Sequence, residues 1–215
     1  MKHILTALAF SILPAPALAH PHVFIDAGIA FIFNDAGQLS AIQVQWAYDD
    51  FYTMVQLDDM GLDGDGDGII TVKEQEKLVG FDTQWLDGFE GDLAVIFADE
   101  KLTLGPPTSA TAELSDGRLL TSHIRHLETP LDMANGSIAL RAFDPTYYSA
   151  YTLDLGAEVL NRDSCMMEQI PADLGKAYDL VENLLYGSNS NAENDYPAVG
   201  EHFADTLTLS CEPSS

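Results

Sequence analysis

The sequence predicts an α+β domain built mainly on antiparallel sheet, with a helix–calcium loop–helix insertion and a C-terminal helix. Three observations predict it. The stretch HVFIDAGIAFIF alternates so that Val23, Ile25, Ala27, Ile29, Phe31 and Phe33 share one face of a strand. Residues 63–74, DGDGDGIITVKE, place an acid or another oxygen donor where a twelve-residue cation loop needs one. Beyond that loop, short apolar runs are separated by turn signals such as SDG and ANG, the rhythm of hairpins.

The elements follow in chain order. Residues 1–19 hold Lys2, His3, the apolar run ILTALAFSIL and a small-x-small ALA before His20. Together these read as a cleaved secretory signal peptide. Ten apolar residues are too few to span a bilayer, and no other segment approaches the length required. The mature chain, 20–215, is therefore expected to be a single exported domain of the periplasm, not membrane-embedded. With 215 residues in all, it can hide roughly 70% of its unfolded surface. NDAGQ is a hairpin turn after the first strand, and LSAIQVQWAY is the returning strand. A helix is predicted over 49–60 from the rhythm of Phe51, Met54, Val55 and Leu57, with Gly61 as its stop. A second helix should run over 71–80, because Thr71 and Glu74 spell a capping box. Strands are predicted at 93–98, 109–115, 118–127, 136–143, 150–160 and 203–210, a helix at 173–186 and a surface loop at 187–195.

Charge narrows the function. Nine Lys and Arg against 34 Asp and Glu give a formal charge of −25, and cleavage would remove Lys2 but no acid. A nucleic acid partner is excluded, since phosphate binding needs a basic face. Anionic lipid is excluded on the same ground. Solubility accounts for most of the acids; cation capture requires a specific cluster.

The loop is such a cluster. An EF-hand calcium loop takes oxygens from positions 1, 3, 5, 7, 9 and 12 and turns sharply on a glycine at 6. Asp63, Asp65 and Asp67 stand at 1, 3 and 5, Gly68 at 6, and the Ile69 carbonyl at 7. Thr71 at 9 and Glu74 at 12 complete the set, and Ile70 at 8 should pack beneath the loop. The flanks depart from a paired EF-hand: Gly61 cuts the first helix short, and Asp58 and Asp59 replace apolar contacts. With no second loop, calcium here reads as a structural clamp, not a sensor.

A second centre is expected at the new amino end, HPHVFID. In a strand, residues i and i+2 point the same way, so His20 and His22 share a face with Asp26 further along. Two imidazoles suit a borderline-soft cation such as Zn²⁺, Ni²⁺, Co²⁺ or Cu²⁺. The free amine of His20 adds a possible ligand, and Pro21 rules out binding through a deprotonated second amide. His123 and His126 fall on opposite faces of the expected strand, so at most one can join a shared site; surface histidines are the favoured reading. His202 stays unassigned. Cys165 and Cys211, the two cysteines of the chain, lack C-x-x-C spacing. In an oxidising compartment they are read as a disulfide in preference to two free thiols.

Six blocks in order carry a resemblance: HPHVFIDAGIAFIFNDAGQL, WAYDDFY, LDDMGLDGDGDGIIT, LGPP, FDPTYY and VGEHFADTLTLSCEP. From His20 almost to the C-terminus the chain resembles a ZevA-like periplasmic metal-binding family, long labelled a domain of unknown function. The resemblance implies an exported accessory protein, linked with zinc, that partners a NicO-type membrane metal transporter. It carries over the His20-Pro21-His22 block and the Asp63–Glu74 loop, and it adds Asp49, Tyr52, Asp144 and Tyr147 as site residues without assigned roles. Such proteins are also described as substrate-binding components, yet no two-lobed arrangement is legible here. The transition-metal set is therefore His20, His22, Asp26, His123 and Asp144, with His20 and His22 foremost. The chain lacks the long histidine-rich tract common in zinc-handling exported proteins.

Three functional classes compete: a metal-binding accessory protein, a copper protein or enzyme with an N-terminal histidine brace, and a calcium-stabilised module without a transition metal. The sequence holds no nucleophile elbow, phosphate loop or HExxH, so a binding protein and not an enzyme is expected.

Overall fold

A computed structural model describes residues 21–86, 88–186 and 197–212. The expected signal peptide, His20 and the 187–195 loop lie outside the described residues.

The architecture is α+β: two five-stranded sheets, mostly antiparallel, with three helices. The first sheet orders β5 (Leu104–Ser115), β6 (Arg118–Leu131), β2 (Leu39–Tyr48), β1 (Val23–Phe33) and β8 (Ser149–Leu160). Its nucleus is the expected hairpin, with Ile29 opposite Val44 and Phe31 opposite Ile42. The turn closes because the Asn34 side chain accepts the N–H groups of Ala36 and Gln38. Every residue of the predicted apolar face of β1 is buried. At the far edge β8 runs parallel to β1, so this sheet is mixed. A parallel pair needs a long connection, and here the intervening chain builds β2 to β7 and the first two helices.

The second sheet orders β4 (Glu100–Lys101), β3 (Leu93–Phe97), β7 (Ser137–Ala142), β10 (Thr206–Cys211) and β9 (Cys165–Ile170). β4 and β9 were not expected. β9 reads CMMEQI, exposed or half-exposed throughout, so no burial period marks it. Backbone pairing to β10 makes it a strand, and Cys165 sits opposite Cys211, to which it is disulfide-bonded. β5 begins five residues earlier than predicted and carries Pro106 and Pro107, which an edge strand tolerates. The last strand starts later than predicted, because Gly200–Phe203 winds into a 3-10 turn.

One core joins the sheets. Phe31, Phe33, Ile42 and Val44 from the first pack with Val95, Ile138, Leu140 and Leu209 from the second. Truncating Phe31, which is fully buried, would cost about 3–5 kcal/mol through lost transfer energy and a cavity.

The first two helices pack on this core and the third on a smaller cluster of its own. α1 (Asp50–Asp59) is capped by the Asp49 side chain, which accepts the Tyr52 N–H. Its buried residues are Thr53 and Leu57, whereas Phe51, Met54 and Val55, expected inside, face out. On the inward side the Thr53 hydroxyl accepts the Leu119 N–H of β6, and Leu57 joins the core with Tyr52 packed against it. α2 (Val72–Leu78) opens with the expected capping box and buries Leu78. α3 (Leu174–Tyr186) buries Ala177 and Val181 against Val199 and Phe203.

Candidate metal centre

The loop between α1 and α2 is assembled by its own backbone. Gly61, at φ +61°, ends the first helix, and Leu62 is buried behind it. The Asp63 carboxylate accepts the N–H groups of Asp67 (3.0 Å) and Gly68 (3.1 Å), and Asp67 accepts that of Ile69 at 2.8 Å. Gly68 adopts φ +76°, the left-handed turn that position 6 demands. The result brings one carboxylate oxygen from each of Asp63, Asp65 and Asp67 within 4.8 Å of one another at the surface. Three acceptor oxygens so placed could hold a divalent ion such as calcium. Ile70 packs toward the core, as position 8 predicted. Glu74 stays with the helix: its carboxylate accepts the Thr71 N–H and hydroxyl, which hold it below the usual carboxylate range. The structure thus gathers the three expected aspartates, while the Glu74 carboxylate is engaged by Thr71.

At the amino end, His22 and Asp26 alternate with the buried Val23 and Ile25 and face outward, as predicted. The His22 N–H donates to the Tyr148 carbonyl at 2.8 Å, and the two rings lie 4.9 Å apart. Asp26 is engaged elsewhere. One of its oxygens pairs with Arg118 at 2.6 Å and the other accepts the Thr152 hydroxyl. Arg118 also donates to the carbonyls of Ala47 and Tyr48, so the pair ties strand ends together. Asp144 is likewise a turn former, accepting from Thr146 and from the Ser149 N–H. Gly200 crosses so close to the Asp144 carbonyl that a Cβ would lie 1.8 Å from it, which is why a glycine stands there. Asp49 divides its oxygens between the N–H groups of Tyr52 and Phe24. Tyr52 stacks on Tyr48, and Tyr147 on Phe203.

His123 corrects an expectation. It is 1% exposed, not a surface histidine, because it shares the inner face of β6 with Leu119, Thr121 and Arg125. That face is the opposite one from His22 and Asp26, so the structure does not bring His123 to them. Its ring lies 5.6 Å from that of Trp85 and 6.4 Å from that of Trp46, and neither nitrogen has a hydrogen-bond partner among the described residues. Burial, and the Arg125 guanidinium beside it, lower its pKa to about 4. His126 lies on the other face and is exposed, as is His202.

Around His123 lies a layer that sequence reasoning missed. Asp82 accepts the hydroxyls of Thr121 (2.5 Å) and Tyr48 (3.1 Å), and burial raises its pKa. Asp92 accepts the Tyr151 hydroxyl at 2.8 Å, and burial lifts it to about 6. Arg125 donates to the carbonyls of Leu104, Gly105 and Glu90 and lies over the Trp85 ring.

Residues 5–211 match a family described as Protein of unknown function (DUF1007). The chain belongs to that family. The match covers nearly the whole length and supports the resemblance as far as the family; its description names no metal and no partner. No curated protein matches the chain. In this DUF1007 protein, the acids of the buried layer carried no periodic or spacing signal. Asp82 sits in GFDTQW and Asp92 before LAVIF, each an isolated acid in a segment without a motif. Among the described residues, the loop triad is the one cluster of three or more candidate metal-ligating side chains.

Proposed function

We propose that this DUF1007 protein is an exported metal-binding accessory protein and not an enzyme, which delivers a transition metal, zinc first, to a NicO-type membrane transporter or buffers it there. Calcium in the 63–74 loop serves as its structural clamp. The observation that carries metal binding is the convergence of Asp63, Asp65 and Asp67 on a loop whose glycine turn matches a calcium site. The disulfide and the signal-like first 19 residues support export.

For the transition metal, three of the expected donors have other roles in the fold. Asp26 and Asp144 are held by Arg118, Thr152 and backbone N–H groups, and His123 is interior. The reading therefore rests on the imidazoles of His20 and His22, helped by the amine of His20. His22 is exposed at a sheet end, where cargo can exchange.

Three mature proteins test it by zinc titration: correctly processed, extended by one residue before His20, and His22→Ala. A side-chain chelate survives the extension within about tenfold, or about 1.4 kcal/mol, and loses far more in His22→Ala. Collapse on extension, with tight copper binding only in the processed form, would mean an amine-ligated brace. Equal zinc affinity in all three proteins would remove His20 and His22 from the site.

A further inference from the structure

We infer that the outward face of α1 is a docking surface for a partner protein whose contact patch is apolar and ringed by lysine or arginine. Phe51 is 66% exposed, Met54 60% and Val55 38%. Spacings of three and four place these side chains on one side of the helix. The other side, Thr53 and Leu57, is the one the sheet buries. A helix that buries a threonine and turns phenylalanine and methionine to water is not arranged for its own stability. Grouped apolar residues of this kind mark interaction sites, and contact patches are enriched in phenylalanine and methionine. Phe24 of β1 is also exposed, at 54%. Its N–H donates to the same Asp49 carboxylate that caps α1, and its carbonyl accepts the Asp49 N–H, so strand end and helix start are tied together.

Charge selects the occupant. Asp50, Asp58 and Asp59 are exposed on the same helix, which contains no lysine or arginine. A second copy of this chain would press one acidic rim against another, and each copy carries a formal charge of −25. An anionic membrane is repelled in the same way. An apolar patch with a basic rim is complementary on both counts and gains encounter rate from the field. Phe24 stands two residues from His22, so the helix start is tied to the chain segment that carries it. What the partner does, receiving metal, rests on the proposed function; the surface itself does not.

The test uses the mature chain without zinc and two synthetic amphipathic helices with the same leucine face, one flanked by lysine and one by glutamate. Fluorescence anisotropy at physiological salt should show the lysine-flanked peptide binding at least tenfold more tightly than its counterpart. Phe51→Ser/Met54→Ser should weaken that binding at least tenfold while the melting temperature holds, since both side chains are exposed. Val55→Lys, on the same side, should do likewise. Undiminished binding by these variants would reduce the effect to bulk charge and overturn the assignment. A concentration-dependent dimer in sedimentation velocity, abolished by Phe51→Ser/Met54→Ser, would overturn it in favour of a second copy. Neither outcome touches zinc binding, so this surface and the metal reading fail separately.

Discussion

The exposed loop and the buried layer use the same residue types for opposite ends. In the loop, Asp63, Asp65 and Asp67 stand within reach of one another at the surface, with Asp63 and Asp67 held by backbone N–H donors two to five residues away. Asp82 and Asp92, both half-buried, each accept from hydroxyls brought by distant strands. Burial pushes these two toward the neutral acid, Asp92 to about 6. An ion site keeps charged oxygens for the cation; a tether commits its oxygens to hydroxyl donors. Acidity alone therefore identifies neither. What distinguishes them is where the hydrogen bonds come from.

The largest test of that contrast is Asp82→Ala. It leaves the hydroxyls of Tyr48 and Thr121, both buried, without their acceptor. Unsatisfied buried groups cost about 1–3 kcal/mol each, so urea denaturation should show a loss of about 3 kcal/mol. Asp65→Ala in calcium-free buffer should change stability by less than about 0.5 kcal/mol. Equal losses would mean that the loop, too, is a tether.

Calcium should reverse the ranking. At free calcium a hundredfold above the dissociation constant, an ion that binds only the folded state adds about 2.7 kcal/mol. Asp63→Ala should remove most of that increment, whereas Asp82→Ala should keep it on its lower baseline. A thermal melt with and without chelator reads both.

The buried acids should also show in the pH dependence. Asp92 is raised in the folded state, so its contribution is fully present below the ordinary carboxylate range and is lost as pH rises through about 6. Asp92→Asn keeps a neutral acceptor for Tyr151 at every pH. It should gain on the order of 1–2 kcal/mol over wild type at pH 7.5 and nothing at pH 4. Stability profiles that stay parallel from pH 4 to 7.5 would show Asp92 to be solvated.

His123 should have the smallest effect and the opposite sign. Its folded pKa is depressed to about 4, so its contribution is present above about 6.5 and is lost as pH falls toward 4. His123→Leu removes two unpartnered nitrogens at similar volume. It should add about 1 kcal/mol at pH 7.5, with the margin widening on acidification. A variant less stable than wild type at pH 5 would mean that His123 has a hydrogen-bonding role.

Much of the candidate centre could be read from residues alone because its causes are local. The Gly61 stop, the Gly68 turn, the Ile70 anchor and the Thr71–Glu74 capping box each act within a few positions, and each formed as expected. The first hairpin was legible for the same reason: a period of two and an Asn turn fix both face and register. The disulfide was read from compartment and cysteine count, and the fold set its two halves opposite each other on neighbouring strands.

Other features waited for the tertiary structure. The side of α1 that faces in runs against the apolar rhythm: Thr53 and Leu57 are buried, and the Thr53 hydroxyl accepts an N–H from Leu119, 66 residues away. β9 exists because β10 offers it a ladder, not because its own residues alternate. His123 went inside by parity with Leu119 and Thr121, and Asp26 and Asp144 were taken by partners no spacing announces. The sequence by itself determined what neighbours in the chain impose: turns, caps, periods and the spacing of three aspartates. Only the tertiary structure decided which polar side chains meet partners from afar, because those bonds depend on how the sheets lie against each other.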